Sequence, residues 1–140
     1  MVIDLKGIIA IAEDAHAGQF RFDGVTPYLT HVRGVAETFS PLEIGTRAVA
    51  WLHDVIEDSK GRYTAVVLLD KGVPAWVVAA VVALTKIDGE DYDTYLVRVK
   101  SNPIACRVKI ADILYNLGDT PSRNQVKKYT KALKFLLDPL

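Results

Sequence analysis

Four titratable side chains stand close together in the middle of the chain, directly after the apolar residues 48–52. They are His53, Asp54, Glu57 and Asp58. On one helix, residues four apart share a side, so the pairs 53/57 and 54/58 would form one polar wall. Charges beside a core are costly unless something pairs them, and a divalent cation would do so. Imidazole and carboxylate ligands without thiolate suit manganese, iron or zinc, and the hard carboxylates favour manganese.

A histidine followed by an aspartate is common by chance, so His53 and Asp54 alone are weak evidence for a metal site. Two residues elsewhere in the chain strengthen the hypothesis, because they offer the same ligand types. These are His31, in an earlier predicted helix, and Asp112, in a later one.

Asp112 lies in an apolar stretch, with Asn116 one helical turn later. Residues four apart share a helix face, so both side chains are expected to point inward. A buried aspartate needs a cation or several hydrogen-bond donors. A metal-ligand role for Asp112 therefore competes with a plain salt bridge to Lys109 or Arg107, and by itself Asp112 favours the salt bridge.

The elements that must position these residues are predicted to be helices. Apolar residues recur at three-and-four spacing, and Gly18, Thr64, Gly72, Pro74 and Asn102 stand where helices begin or end. The predicted helices are residues 3–17, 27–39, from 42 or 45 to 56, 64–72, from 74 through the valine-rich residues 77–82, 91–100, 103–117 and 124–137. Residues 77–82 could also form a buried strand, but a lone strand among helices would have no partner. The sequence thus predicts an all-α fold in a single domain, residues 1–140.

Several other conspicuous residues are most simply structural. His16 precedes Gly18 at a predicted helix end, where a histidine more often caps or packs than binds metal. The aromatic residues Trp51, Trp76 and Tyr95 fall at inward helical positions and are expected in the core. Lysines 127, 128, 131 and 134 indicate a solvated helix face, although one of them could reach the mouth of a site.

The composition of the chain limits the classes of partner that it is expected to bind. Seventeen basic and seventeen acidic residues give zero net charge, which disfavours binding to a nucleic-acid polymer. The single cysteine, Cys106, cannot form an internal disulfide and fits a reducing compartment. The amino terminus does not resemble a signal peptide, and the longest apolar run, residues 73–84, is too short to cross a membrane. We therefore expect a cytoplasmic protein without a membrane partner; the sequence does not indicate the oligomeric state.

Blocks of sequence from residue 15 to residue 117 resemble the HD-type hydrolase domains of the RelA/SpoT family, which include small alarmone hydrolases such as the metazoan SpoT homologue. The first block is Ala-His-Ala-Gly-Gln-Phe-Arg at 15–21, followed by Gly24 and by Pro-Tyr-Leu-Thr-His at 27–31. The others are Leu-His-Asp-Val-Ile-Glu-Asp-Ser at 52–59 and Lys-Ile-Ala-Asp at 109–112 with Asn-Leu at 116–117. A weaker similarity covers residues 126–129. The resemblance implies an HD-type bundle of about seven or eight helices.

The resemblance also implies a metal centre and a catalytic pair. One metal ion, usually manganese in this family, would be held by four side chains: His31, His53, Asp54 and Asp112. Glu57 and Asp58 would orient and deprotonate the attacking water.

On the substrate side, the resemblance assigns nucleotide contacts to five residues. Arg21 would pack on the purine base, a use that suits the planar guanidinium group. Asn116 would help to position the ribose, and Tyr129 with Lys127 or Lys128 would reach the nucleotide from the last helix.

Three positions depart from the family pattern. Phe22 stands where many relatives carry lysine, and Gly118 stands where relatives often have arginine, so two possible phosphate contacts are missing. Between Gly24 and Pro27 this chain has one residue more than the long bacterial enzymes, which could alter the rim of the pocket.

The activity expected from the resemblance is removal of the 3′-pyrophosphate from (p)ppGpp, an alarmone of the stringent response, by a stand-alone hydrolase, since no synthetase domain follows in 140 residues. The substrate partner would be a small purine nucleotide. One alternative is an HD phosphohydrolase acting on ppApp, NADPH or a simple nucleotide. Another is a non-catalytic nucleotide-binding or structural protein, which is disfavoured because no metal ligand is lost and Glu57 and Asp58 are both present.

Overall fold

The computed structural model describes residues 2–139, and their regular structure is helical, as predicted. Beside the helices there is one isolated β-bridge, between Phe20 and Pro27. The helices of the described residues are α1 Leu5–Ala15, α2 Tyr28–Glu37, α3 Ile44–Leu52, α4 Val55–Asp58, α5 Ala65–Asp70, α6 Ala75–Leu84, α7 Tyr92–Lys100, α8 Pro103–Leu117 and α9 Arg123–Leu137. Residues 77–82 lie within α6, so the helix prediction for this segment is confirmed and the strand alternative is wrong.

Side-chain caps explain why several helices begin where they do. The side chains of Thr64, Asp91 and Asn102 each accept a backbone N–H from the first turn of the following helix. Ser122 and Gln125 form a reciprocal capping box at the start of α9. Such caps satisfy N–H groups that have no partner within the helix.

The prediction of one helix through residue 56 is wrong, because the chain turns at His53 and Asp54, between α3 and α4. The imidazole Nδ1 of His53 lies 2.6 Å from the carbonyl oxygen of Ala50. The backbone at Asp54, with φ −109° and ψ 2°, leaves helical geometry. The expected side-by-side stacking of residues 53 and 57 is therefore not observed, and His53 is buried while Glu57 is exposed.

The hydrophobic core centres on α3, which packs against α1, α2, α6 and α8. Every residue from 48 to 52 is buried. Trp51 and Tyr95 lie in the core as expected, but the prediction for Trp76 is wrong, since 47% of it is exposed. Its indole covers Gly45, where a Cβ atom would fall 2.2 Å from the ring.

The arrangement of α2, α3 and α8 places the polar residues of interest at one end of this core. His31 lies on α2, His53 directly follows α3, and Asp112 lies on α8. Both α2 and α3 pack against α8, so the three side chains meet. None of the helices in residues 2–139 combines the length and apolar character needed to cross a membrane.

Candidate metal centre and active site

Two histidines and two aspartates, all buried except the partly exposed Asp54, form a cluster where α2, α8 and the α3–α4 turn meet. His31, His53 and Asp112 are 1%, 2% and 6% exposed. His31 Nε2 lies 2.7 Å from Asp112 Oδ1, and His53 Nε2 lies 3.5 Å from the same oxygen. Asp54 Oδ2 lies 2.9 Å from His53 Nε2. The four residues predicted as metal ligands are thus brought together.

The donor atoms of this cluster suit a divalent cation. Ligand atoms of His31, His53 and Asp54 lie within 4.8 Å of one another. Because His53 Nδ1 donates to the carbonyl oxygen of Ala50, Nε2 is the ring nitrogen that faces Asp54 and Asp112 and would bind a metal ion. Bonding of one ring nitrogen to a carbonyl, with the other left for a metal, is the usual arrangement of a ligating histidine.

The electrostatics of the cluster point the same way. Burial by itself lowers the pKa of His53, but the charges of Asp54 and Asp112 outweigh burial and hold that pKa well above its usual value. The two carboxylates thus favour the protonated, positively charged form of the buried His53 imidazole. A divalent cation among these residues would supply that positive charge.

Each of the two carboxylates has a further partner outside the cluster. The Tyr28 hydroxyl donates to Asp54 Oδ2 at 2.5 Å. Lys109 Nζ lies 2.9 Å from Asp112 Oδ2, whereas Arg107 pairs with Glu43. The salt bridge to Lys109 and the contact with the histidines therefore coexist, because they use different oxygens of Asp112.

A cavity of about 370 Å³ opens over the cluster and has the size of many small-molecule sites. Its lining includes Asp54 and Asp112 from the cluster. Six of the residues that the sequence assigned to catalysis or nucleotide contact also line it: Arg21, Glu57, Asp58, Asn116, Lys128 and Tyr129. Lys127 is exposed and lies outside this lining.

Arg21 is fixed in place at one end of the cavity. Its guanidinium group donates to Asp119 Oδ2 at 2.7 Å and to Asn116 Oδ1 at 3.1 Å. It also lies near the rings of Phe22 and Tyr115, at 5.1 and 5.7 Å from their centroids. The side chain is only 7% exposed. A guanidinium group held by this many partners is fixed in position and orientation.

The two residues predicted to act on water occupy different environments. Burial, and then the negative charges of Asp54 and Glu57, raise the pKa of Asp58 to about 7. Glu57 is exposed, and its Oε1 accepts a hydrogen bond from the backbone N–H of Lys86 at 2.9 Å. A carboxyl group with a pKa near neutrality is suited to accept and release a proton.

Comparison with known proteins gives matches to curated sequences and to solved structures. No protein-family model matches the sequence. A guanosine-3′,5′-bis(diphosphate) 3′-pyrophosphohydrolase of Haemophilus influenzae is 53% identical over 51 residues, which are 35% of this chain. The bifunctional (p)ppGpp synthase/hydrolase SpoT of Escherichia coli is 29% identical over 123 residues, which are 81% of this chain.

Among solved structures, a metazoan ortholog of SpoT, described as hydrolysing ppGpp and acting in starvation responses, superposes with a TM-score of 0.76. The match covers 98% of this chain and 86% of that chain, at 22% identity. The resemblance to RelA/SpoT-type hydrolases is confirmed. This chain spans only 7% and 17% of the lengths of the two curated relatives, so it corresponds to a small part of each.

The structure adds residues to those that the sequence assigned to metal binding, catalysis or nucleotide contact. Tyr28 and Lys109 hold the two aspartates, and Lys86 and Tyr92 line the cavity. Lys109 precedes Asp112 by one helical turn, and the sequence had already indicated it as a salt-bridge partner of that aspartate. The others depend on which helix faces meet, and no local pattern encodes that.

The raised pKa of Asp58 predicts a stability effect in the metal-free protein. A folded-state pKa of about 7, above the unfolded value near 3.8, means that folding disfavours the ionised carboxylate. The corresponding stability is present below about pH 4 and is lost as the pH rises through about 7. Asp58→Asn should therefore raise the free energy of unfolding at pH 8, with a much smaller gain at pH 4.

Urea unfolding in the presence of a chelator at the two pH values measures this difference. Asp119→Asn is the matched control, because it removes an exposed carboxylate that is paired with Arg21 and should not stabilise the protein. An Asp58→Asn effect that is equal at pH 4 and pH 8 would contradict the assigned pKa.

Proposed function

We propose that this chain is a metal-dependent hydrolase that removes the 3′-pyrophosphate from (p)ppGpp. The observation that carries the proposal is the buried cluster of two histidines and two aspartates beneath a cavity of nucleotide size. The curated relatives support the choice of substrate, because they bear the name of this activity.

Four residues would hold the metal ion, which we propose to be manganese: His31, His53, Asp54 and Asp112. When bound, a divalent ion lowers the pKa of water and polarises a phosphoryl oxygen. Nitrogen and oxygen ligands without sulfur support manganese over softer alternatives.

The remaining chemistry belongs to residues of the cavity wall. Asp58 accepts a proton from the attacking water, and Glu57, anchored to the Lys86 N–H, orients that water. The guanidinium of Arg21 stacks on the purine base, and Asn116 lies beside it for contact with the ribose.

Two lysines of the wall are available for the substrate's phosphates. Neither Lys86 nor Lys128 forms an ion pair within residues 2–139, and both line the cavity. Lys128 lies over the ring of Tyr92, with Nζ 4.3 Å from the ring centroid. Tyr129, beside Lys128 on α9, completes this side, whereas Lys127 is exposed and does not line the cavity, so it would act only at long range.

The proposal includes a single catalytic domain that acts on a small purine nucleotide, in the cytoplasm and without a nucleic-acid polymer or membrane as partner. The chain's zero net charge supports the choice of a small substrate that is held by local contacts.

A product assay tests the proposed function. With ppGpp and added manganese, we expect one pyrophosphate and one GDP for each substrate consumed, and no inorganic phosphate. A chelated sample is the control for metal dependence, and GDP is the control for attack at the 5′-diphosphate. ppApp, NADPH and a deoxynucleoside triphosphate are tested in parallel. Turnover of one of these without turnover of ppGpp would reject the proposed substrate and favour the alternative, a hydrolase of a different nucleotide.

A further inference from the structure

The side chain of Gln19 links the segment after α1 to the carboxyl end of α4. Its amide Nε2 donates to the carbonyl oxygen of Asp58 at 2.9 Å and to that of Ala15 at 3.2 Å. Asp58 is the last residue of α4, where backbone carbonyls have no partner within the helix. Gln19 thus caps the four-residue helix that carries the proposed proton acceptor.

His16 contacts the oxygen of the same Gln19 amide. Because the amide nitrogen is used by two carbonyl groups, the amide oxygen must accept, and it lies 2.8 Å from His16 Nδ1. His16 therefore donates from Nδ1. Its ring is 3% exposed and packs against Tyr28 with 5.1 Å between ring centroids, so the pair has little freedom to rearrange.

Helix α4 is held mainly by contacts from other segments, among them the bond of Glu57 to the Lys86 N–H and the packing of the buried Val55 side chain. It is preceded by the turn at His53 and Asp54, and it is followed by two residues of left-handed backbone, Lys60 with φ 55° and Gly61 with φ 82°. A helix of one turn has almost no hydrogen bonding of its own, so contacts from elsewhere must fix it. The amide of Gln19 provides such a contact at the residue whose side chain enters the cavity.

We infer that Gln19, oriented by His16, is a positioning residue for Asp58. The amide holds the end of α4 so that the Asp58 carboxyl group stays in the cavity, beside Asp54 and Glu57. This inference rests on the proposed function in one respect, since it takes Asp58 as the proton acceptor. It explains the presence of His16 and Gln19 in the first sequence block, since neither residue is assigned to metal binding or nucleotide contact.

Two substitutions at Gln19 test the hydrogen bond to Asp58. Gln19→Met keeps the length of the side chain but cannot donate, and Gln19→Glu keeps its shape but presents an acceptor to both carbonyl groups. We expect each to lower kcat by about 10- to 100-fold, below the full loss of an acid–base group, with KM and metal content changed less than about threefold. The control is Gln125→Glu, since Gln125 accepts a hydrogen bond from the Ser122 N–H and glutamate can do the same.

Two substitutions at His16 test the orienting role. The amide nitrogen of asparagine can occupy the position of Nδ1, so His16→Asn retains a donor to Gln19, while His16→Leu does not. We expect kcat near that of wild type for His16→Asn and a loss like that of Gln19→Met for His16→Leu. Thermal melting establishes that all variants are folded.

A measurement independent of turnover separates this inference from the proposed function. In the metal-free protein, the ¹³Cγ resonance of Asp58 reports its pKa, which is about 7 when the carboxyl group is held in the cavity. In Gln19→Met this pKa should fall toward the ordinary value as the group gains solvent. An unchanged Asp58 pKa, or a wild-type kcat in Gln19→Met, would overturn the positioning role. A wild type that leaves ppGpp intact would instead reject the proposed function, with the resonance still deciding the role of Gln19.

Discussion

Asp58→Asn is expected to lower kcat for ppGpp by about 10²- to 10⁴-fold, the usual effect of removing a positioned proton acceptor. The asparagine keeps the size of the side chain and can still accept a hydrogen bond, but it cannot take a proton. Metal content and nucleotide Kd should stay within about twofold, because Asp58 lies beside the cluster and is not one of its four predicted ligands. Steady-state kinetics, elemental analysis and equilibrium binding on the same preparation measure the three quantities.

Glu57→Gln is the matched comparison, and the structure predicts a smaller loss of kcat for it. Glu57 is exposed and anchored through the Lys86 N–H, and a glutamine oxygen can accept that same hydrogen bond. The pH profile provides a second criterion. A proton acceptor works only when ionised, so wild-type turnover should fall as the pH drops, and Asp58→Asn should lose that dependence. Near-normal turnover in both variants would reject the assigned roles, and loss of metal would identify the altered residue as a ligand.

The helices could be predicted because their boundaries are local. Thr64, Asp91 and Asn102 cap the helices that follow them, and each is an ordinary amino-terminal cap in sequence. The break at His53 could not be predicted in this way, since residues 44–58 contain neither glycine nor proline after Gly45. The break accompanies a hydrogen bond from the His53 imidazole to the Ala50 carbonyl oxygen. That bond turns the other ring nitrogen toward the metal-ligand cluster, whose other members come from distant parts of the sequence.

In the candidate site, too, the sequence indicated some features and tertiary packing determined the others. Residue types and spacing indicated His53, Asp54 and Asp112, and the family resemblance added Arg21 and Asn116. The partners of these residues followed only from tertiary packing. Tyr28 reaches Asp54 across 26 positions of sequence, and Arg21 reaches Asp119 across 98. The exposed indole of Trp76 is a related case, because its helix is apolar on nearly every side and periodicity alone cannot distinguish the face that meets Gly45.

Asp112→Asn is expected to abolish metal binding and, with it, turnover. Asp112 offers one oxygen to both histidines and the other to Lys109, so it joins the predicted metal ligands to a largely buried ammonium group. Replacing its carboxylate by a neutral amide removes a charged ligand. The loss of manganese affinity should exceed the roughly 10- to 100-fold that changes to the outer partners of a metal site cause.

Two effects of Asp112→Asn must be separated, because the same substitution leaves the Lys109 ammonium, whose side chain is only 14% exposed, without its counter-charge. An uncompensated buried charge is strongly destabilising, so the variant should also melt at a lower temperature. The double variant Asp112→Asn/Lys109→Met removes that charge and should recover stability without recovering metal. Asp119→Asn, an exposed aspartate paired with Arg21, should keep full metal occupancy. Titration of manganese into the folded variants measures this affinity. If Asp112→Asn binds manganese as tightly as wild type does, Asp112 serves only as the salt-bridge partner of Lys109. The metal ligands would then be His31, His53 and Asp54 alone.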